Sequence, residues 1–213
     1  DRAHRFNKIF APYTEMSAQD FEPEVFQYFK EEWSRGGMRP GSPFMDEKAN
    51  DYLSWLFDRW IKDCDVDGLY FDNVFCKLTW NTANGAYTLP DGKIQPGYNL
   101  WGMRDNIKRT RAILQQRKGD KPYRICIHNT RFQFAPIMGF ADLAMGGEMA
   151  TPRGDNPEAG DFMDMYSRDF MDVMYNQPLW GYKQNHLYHF RWNSYLNEDG
   201  EPDLDAALKV HRG

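Results

Sequence analysis

Two stretches of the sequence end an apolar run on a carboxylate. Asp67-Gly-Leu-Tyr-Phe-Asp72-Asn73 carries one, and Met145-Gly146-Gly147-Glu148 carries the other. An acid that closes an apolar strand is exposed at the carboxyl edge of a parallel sheet, where barrel enzymes assemble their active sites. Paired there, two acids can move protons, act as a nucleophile or stabilise a developing positive charge. Asp and Asn also form turns well, so Asp72 and Asn73 taken alone would serve equally as a cap. Glu148 shifts the balance, because two adjacent glycines let backbone or substrate approach closely. With one strand between them, Asp72 and Glu148 would stand two strands apart, or ~10 Å between backbones. Inward-leaning side chains then bring the carboxyl groups into the ~5–9.5 Å range of glycosidic acid pairs, which covers both retaining and inverting enzymes.

Other residues could line the same face. Tyr13 and Glu15 leave the first strand, and Glu15 is a third candidate acid. His128 closes the run Tyr123 to His128, where it is either a substrate donor or a satisfied structural group. Trp80 and Trp101 offer flat apolar faces on which sugar rings stack. Arg104 is a substrate contact or a structural cation. A metal site would need His128, Asp142 and Glu148 to converge, yet no His-x-His or His-Glu-x-x-His spacing supports one. Asp63-Cys-Asp65-Val-Asp67-Gly68 imitates the start of a calcium loop, but its twelfth position is Val74 rather than Glu. No metal and no cofactor is therefore assigned.

The elements that position these groups alternate. Lys8 to Tyr13 predicts a short buried strand with Thr14 to Ser17 as its polar exit, and Phe21 to Trp33 a helix. A second helix spans about Glu47 to Lys62, opened by Asp46-Glu47, where Leu53, Leu56, Phe57, Trp60 and Ile61 form an amphipathic stripe. Asp67 to Val74 is the next strand, Cys76 to Leu100 a long loop, and Trp101 to Lys118 a helix stopped by Gly119. Strands follow at Tyr123 to His128 and Ala141 to Glu148, then a Met-rich helix over about 161 to 175. Gln177 to Gln184 gives a fifth strand, and a short helix begins near Asp203. This order predicts a parallel sheet with helical crossovers. No Gly-rich phosphate fingerprint follows any strand.

Composition narrows the class. Apolar content of 41% and charged content of 27% belong to a globular chain. The net charge of −5 disfavours nucleic acid, and no apolar run is long enough to span a membrane. Three cysteines, Cys64, Cys76 and Cys126, lack zinc-like spacing, and buried thiols are expected. At 213 residues the chain is shorter than the ~250 of a complete eight-fold barrel, and it begins at Asp1. Residues 1–213 are therefore expected to form one partial barrel domain of about five strands, a fragment with the remaining strands outside this chain.

At these motifs the chain resembles barrel glycoside hydrolases, most nearly the family 123-like group of large, mostly uncharacterised bacterial proteins. The likeness runs through Tyr13-Thr14, the strand ending at Asp72, Trp101-Gly-Met-Arg104, His128-Asn129 and Gly146-Gly-Glu148. It implies a (β/α) TIM-type barrel, a carbohydrate substrate and a secreted or periplasmic location. Characterised family 123 enzymes use an adjacent Asp-Glu pair for substrate-assisted hydrolysis of a 2-acetamido sugar. Asp72 fits the first position, and Asn73 stands at the second. Asp72 is also similar to the strand-four nucleophile of the α-amylase family, although Tyr70 stands where that family carries Arg. The expectation is a glycosidase with Asp72 as nucleophile or charge stabiliser and Glu148 as general acid/base. Tyr13, Asn73, Trp80, Trp101, Arg104 and His128 would contact the sugar. The rivals are a non-catalytic carbohydrate-binding barrel and a metal-dependent hydrolase.

Overall fold

Side-chain alternation decides which way the central strand faces. In β2 (Gly68–Asp72), Leu69 and Phe71 are fully buried on one side, while Tyr70 and Asp72 point to the other and keep partial access. The buried side is covered by two helices, α4 (Glu47–Asp63) and α5 (Leu100–Lys118). In α4, Phe57 and Ile61 lie against the sheet, and the Phe57 ring meets Phe71 edge-on at 5.7 Å. In α5, Met103, Ile107, Thr110 and Leu114 recur at helical spacing and are fully buried. Between the helices, Asn106 donates to Asn50 and Asn50 to the Gly102 carbonyl, which leaves the Asn106 Oδ1, among the described residues, as the unpaired atom of the two buried amides.

The computed structural model describes residues 2–15, 24–34, 47–128, 134–146, 168–169, 172, 183–186 and 201. The chain forms two compact units, Asp1–Ala144 with Trp180–Lys183, and Met145–Leu179 with Gln184–Gly213. The first opens with α1 (Arg2–Arg5), then β1 (Tyr13–Glu15), which runs parallel to β2 with Tyr13 opposite Tyr70 and Glu15 opposite Asp72. β7 (Arg124–His128) lies parallel on the other side of β2, with Tyr70 opposite Cys126. β8 (Leu143–Gly146) and β9 (Lys183–His186) complete the order β1-β2-β7-β8-β9. This is a mixed α/β fold on a parallel sheet, and no closed barrel is formed among the described residues. Gly68 permits the tight β2–β7 approach, since a Cβ there would fall 1.9 Å from the Arg124 carbonyl oxygen.

Several sequence expectations are corrected. The strand expected at Lys8 to Tyr13 begins only at Tyr13. In its forerunner the Phe10 and Pro12 carbonyls accept from the Asp67 and Tyr70 N–H groups, the Phe10 N–H turns to the Asp67 side chain, and Pro12 has no N–H to donate. This segment is also partly exposed at Ile9 and Phe10 rather than buried. The described part of the first expected helix is two pieces, α2 (Glu24–Tyr28) and α3 (Lys30–Trp33), broken at Phe29. The expected loop at 76–100 is largely built of nested antiparallel pairs. β3 (Leu78–Thr79) pairs with β6 (Gly97–Tyr98), and within them β4 (Tyr87–Thr88) pairs with β5 (Ile94–Gln95). Pro90-Asp91-Gly92 turns the inner pair, with Gly92 at positive φ. Asn81 and Asn84 staple this excursion to α3 by donating to the carbonyls of Glu32 and Ser34. Cys64 is exposed, whereas Cys76 and Cys126 are buried.

A one-turn helix, α6 (Ala135–Met138), leads into β8. In the second unit Arg168, Asp169 and Asp172 are helical, and Arg168 sits 3.7 Å from Asp172 one turn on. The rest of the expected Met-rich helix, part of the Gln177 to Gln184 strand and the helix near Asp203 lie outside the described residues. No helix among the described residues is long and apolar enough to cross a membrane.

Candidate active site

The face of the sheet turned away from α4 and α5 carries most of the candidate residues. Parallel register puts Tyr13, Glu15, Tyr70, Asp72, Cys126 and His128 on that face, because each is an even number of residues from a paired position. Tyr13 packs edge-on against Tyr70, with ring centroids 5.6 Å apart. Glu15, Asp72 and His128 stand at the carboxyl ends of three adjacent strands.

Asp72 is the centre of a hydrogen-bonded group. Its Oδ1 accepts from His128 Nδ1 at 2.8 Å and from the Asn73 backbone N–H at 2.7 Å. A carboxylate acceptor places the proton on Nδ1 of the imidazole. Its Oδ2 accepts from the Tyr13 hydroxyl at 2.5 Å. Burial alone pushes the Asp72 carboxyl up, but the hydrogen bonds from His128, Tyr13 and Asn73 outweigh it and hold the group down at about 2. Asp72 is therefore a fixed anion at neutral pH. The Tyr13 phenol moves the opposite way, raised first by lost hydration and then by the Asp72 carboxylate beside it.

Asn73 joins Asp72 to the neighbouring strand. Its φ of 55° lies in the left-handed region, which Asn tolerates better than most residues. This turns its amide back toward β1, where Nδ2 lies 2.7 and 2.9 Å from the two Glu15 carboxylate oxygens. Glu15 Oε2 is also 3.1 Å from the Tyr13 hydroxyl. One phenolic oxygen thus touches both acids, Glu15 Oε2 at 3.1 Å and Asp72 Oδ2 at 2.5 Å. Tyr13 remains 57% exposed, so the group is open to a ligand.

Four of the sequence candidates, Tyr13, Asp72, Asn73 and His128, are thus brought together with Glu15. His128 is only 2% exposed, and its Nδ1 is engaged with Asp72. Trp101, in the first turn of α5, is 70% exposed, and Trp80 follows β3 with partial exposure. Arg104 lies over the Phe140 ring at 4.9 Å, a packing role. Glu148 lies outside the described residues.

The metal-binding reading loses Asp142. Its Oδ2 accepts from the Ile125 N–H near the start of β7, and its Oδ1 pairs with Arg111 at 2.7 Å. Three residues of strand, or roughly 10 Å, separate Ile125 from His128. No group of three His, Cys, Asp or Glu side chains among the described residues is arranged to hold a metal ion. The acids of the calcium-like stretch are also engaged: Asp63 pairs with Arg59, and Asp65 and Asp67 with Lys118.

Lys118, the last residue of α5, is a buried cation at the opposite end of β2. Its ammonium lies 2.9 Å from both Asp65 and Asp67, and Asp67 also contacts His4 at 2.5 Å and the Phe10 N–H. A cleft of about 340 Å³ opens here, lined by His4, Lys8, Asp65, Asp67 and Lys121 among others. It sits at the amino end of the strands, away from Asp72.

No protein-family model matches the chain, and no curated protein matches it. Among solved structures it is similar to a noncanonic maltogenic alpha-amylase, AmyB from Thermotoga neapolitana, at 13% identity and a TM-score of 0.44. The match covers 87% of this chain and 47% of that one, so the chain spans about half of that structure. A likeness this slight fixes neither fold family nor activity. The family 123 resemblance stands on its motifs alone.

Proposed function

We propose that this chain forms part of a (β/α)-barrel hydrolase acting on a glycan, with Asp72 stabilising the positive charge that develops at the sugar. One observation carries the reading. Asp72 is a preorganised anion on the open face at the carboxyl ends of parallel strands, held by three donors beside an exposed tyrosine ring. A fixed carboxylate costs no reorganisation when an oxocarbenium-like charge appears, and such preorganisation is a large catalytic term. The same three donors draw electron density from the carboxylate, which favours charge stabilisation over nucleophilic attack. Glu148 is the acid/base candidate that the sequence offers. The test is turnover of aryl glycosides, including 2-acetamido sugars, by the full-length protein and its Asp72→Asn variant. Turnover lost with the amide while the fold persists supports the reading, and turnover that survives it removes Asp72 from the mechanism.

A second reading, a glycan-binding domain without turnover, is favoured by Asn73. An amide occupies the position where family 123 enzymes carry an acid, and Trp101 is exposed as a stacking surface. Calorimetric sugar binding with no turnover across the panel would select it.

A further inference from the structure

We infer that Glu15 is the proton-transferring residue of this site, coupled to the fixed anion Asp72 through the Tyr13 hydroxyl. The inference rests on the glycan-hydrolase reading above and adds to it the group that serves the leaving oxygen.

A single phenolic proton stands between two acids. Glu15 Oε2, the Tyr13 hydroxyl oxygen and Asp72 Oδ2 form a row with contacts of 3.1 and 2.5 Å. A phenol has one proton to donate. When it points to Asp72, the contact with Glu15 is attractive only if a proton lies on the Glu15 side. When that proton leaves, the Tyr13 O–H can swing to Glu15, while Asp72 keeps the donors from His128 and the Asn73 backbone. Both states of Glu15 are thus satisfied by a single hydroxyl rotation. The Asn73 amide contacts both Glu15 oxygens and keeps the carboxyl in place throughout. Asp72 lacks this freedom, because three donors already fix it as an anion.

The chemistry balances with water as the only co-reactant. The bond from the anomeric carbon to the leaving oxygen breaks, its electron pair goes to that oxygen, and the oxygen takes the proton from Glu15. Asp72 remains ionised beside the cationic centre. Water then adds to the anomeric carbon and returns one proton to Glu15.

The experiment compares Asp72→Asn, Glu15→Gln, Glu15→Asp and Glu148→Gln in the full-length protein. Two aryl glycosides are used, one with a poor and one with an activated leaving group. The glutamine amide can donate to the Tyr13 oxygen while its carbonyl oxygen keeps the 2.7 Å contact from Asn73 and the 2.9 Å one is lost, so Glu15→Gln should preserve the fold. Its kcat on the poor leaving group should fall ~10²–10⁴-fold with KM little changed. It should also lose the basic limb of its pH profile and keep most of its rate on the activated substrate, which needs no acid. Glu15→Asp should recover part of the lost rate. If Asp72→Asn abolishes turnover but Glu15→Gln keeps rate and pH profile, this inference falls and the hydrolase reading stands. Loss of the basic limb in Glu148→Gln but not in Glu15→Gln overturns it likewise. Absence of wild-type turnover on every substrate overturns both.

Discussion

The Asn73 amide reaches from the end of one strand to both carboxylate oxygens of Glu15 on the next, and it does so from a left-handed backbone. Conformation and contact are linked: with ordinary negative φ the side chain would leave the strand in another direction. This separates two functions that one substitution would otherwise mix. Asn73→Gly keeps the backbone geometry at little cost and deletes only the clamp, so unfolding stability should change by less than ~1 kcal/mol. Asn73→Asp sets a carboxyl against Glu15 at the same place. Two carboxylates about 3 Å apart cannot both ionise, so one must hold its proton well above the ordinary carboxyl range. Carboxyl carbon NMR across a pH series would show that extra high-pH step in Asn73→Asp and not in Asn73→Gly. Its absence would mean that the two side chains do not face each other.

His128 acts on Asp72 from a nearly closed environment, so its removal should register in both stability and titration. His128→Ala leaves a cavity and deletes a hydrogen bond to a charged group, worth about 2–3 kcal/mol together. The same change removes a principal group that lowers the Asp72 carboxyl, which should then titrate at higher pH. Denaturant unfolding at neutral pH measures the first effect and carboxyl NMR the second. An unshifted Asp72 would show that His128 is packing alone.

The fold was legible where local periodicity and punctuation agree. α5 announces itself through Met103, Ile107, Thr110 and Leu114, and Gly119 closes it at φ 57° with its N–H on the Gln115 carbonyl. β2 is an apolar run closed by Asp72, so its active end could be read directly. The excursion at 76–100 could not, because strands of two residues have no period to detect. Asn84-Gly85 and Pro90-Asp91-Gly92 are the turn signals there. Tyr13, Glu15, Asp72, Asn73 and His128 were all visible as residue types at strand ends. The link between Glu15 and Asn73 was hidden, because it depends on the register of β1 against β2, across 58 residues. The burial of Lys118 is hidden for a similar reason: nothing local to a helix end shows that the fold brings Asp65 and Asp67 to it.

Lys118 should accordingly be a stability residue. Its side chain is 4% exposed and its partner Asp67 11%, so little water can replace the interaction. Removing one member of a buried pair strands the other charge, at a cost of about 3–5 kcal/mol. Lys118→Met should destabilise by that order, and adding Asp67→Asn should recover much of the loss. Urea unfolding of both variants and the wild type forms the check. A single variant as stable as wild type would mean that the network is solvated.

Acid unfolding offers a direct check on the fixed anion. The Asp72 carboxyl lies at about 2 in the folded protein, against an ordinary value near ~3.9 in an unfolded chain. A depressed carboxyl contributes its stabilisation above the unfolded value and loses it as pH falls toward the folded one. The contribution is thus complete above about pH 4 and disappears toward pH 2, with a size of about 2 kcal/mol. Other lowered carboxyls, such as Asp58 and Asp67, titrate in the same window, so the wild-type curve alone cannot isolate Asp72. Asp72→Asn supplies the difference, since its amide oxygen still accepts from His128 yet cannot ionise. Unfolding free energies from urea titrations between pH 2 and pH 5 should fall more steeply for wild type, by about the amount above. Parallel curves would show that His128, Tyr13 and Asn73 do not hold Asp72 ionised, and the charge-stabilising role would go with them.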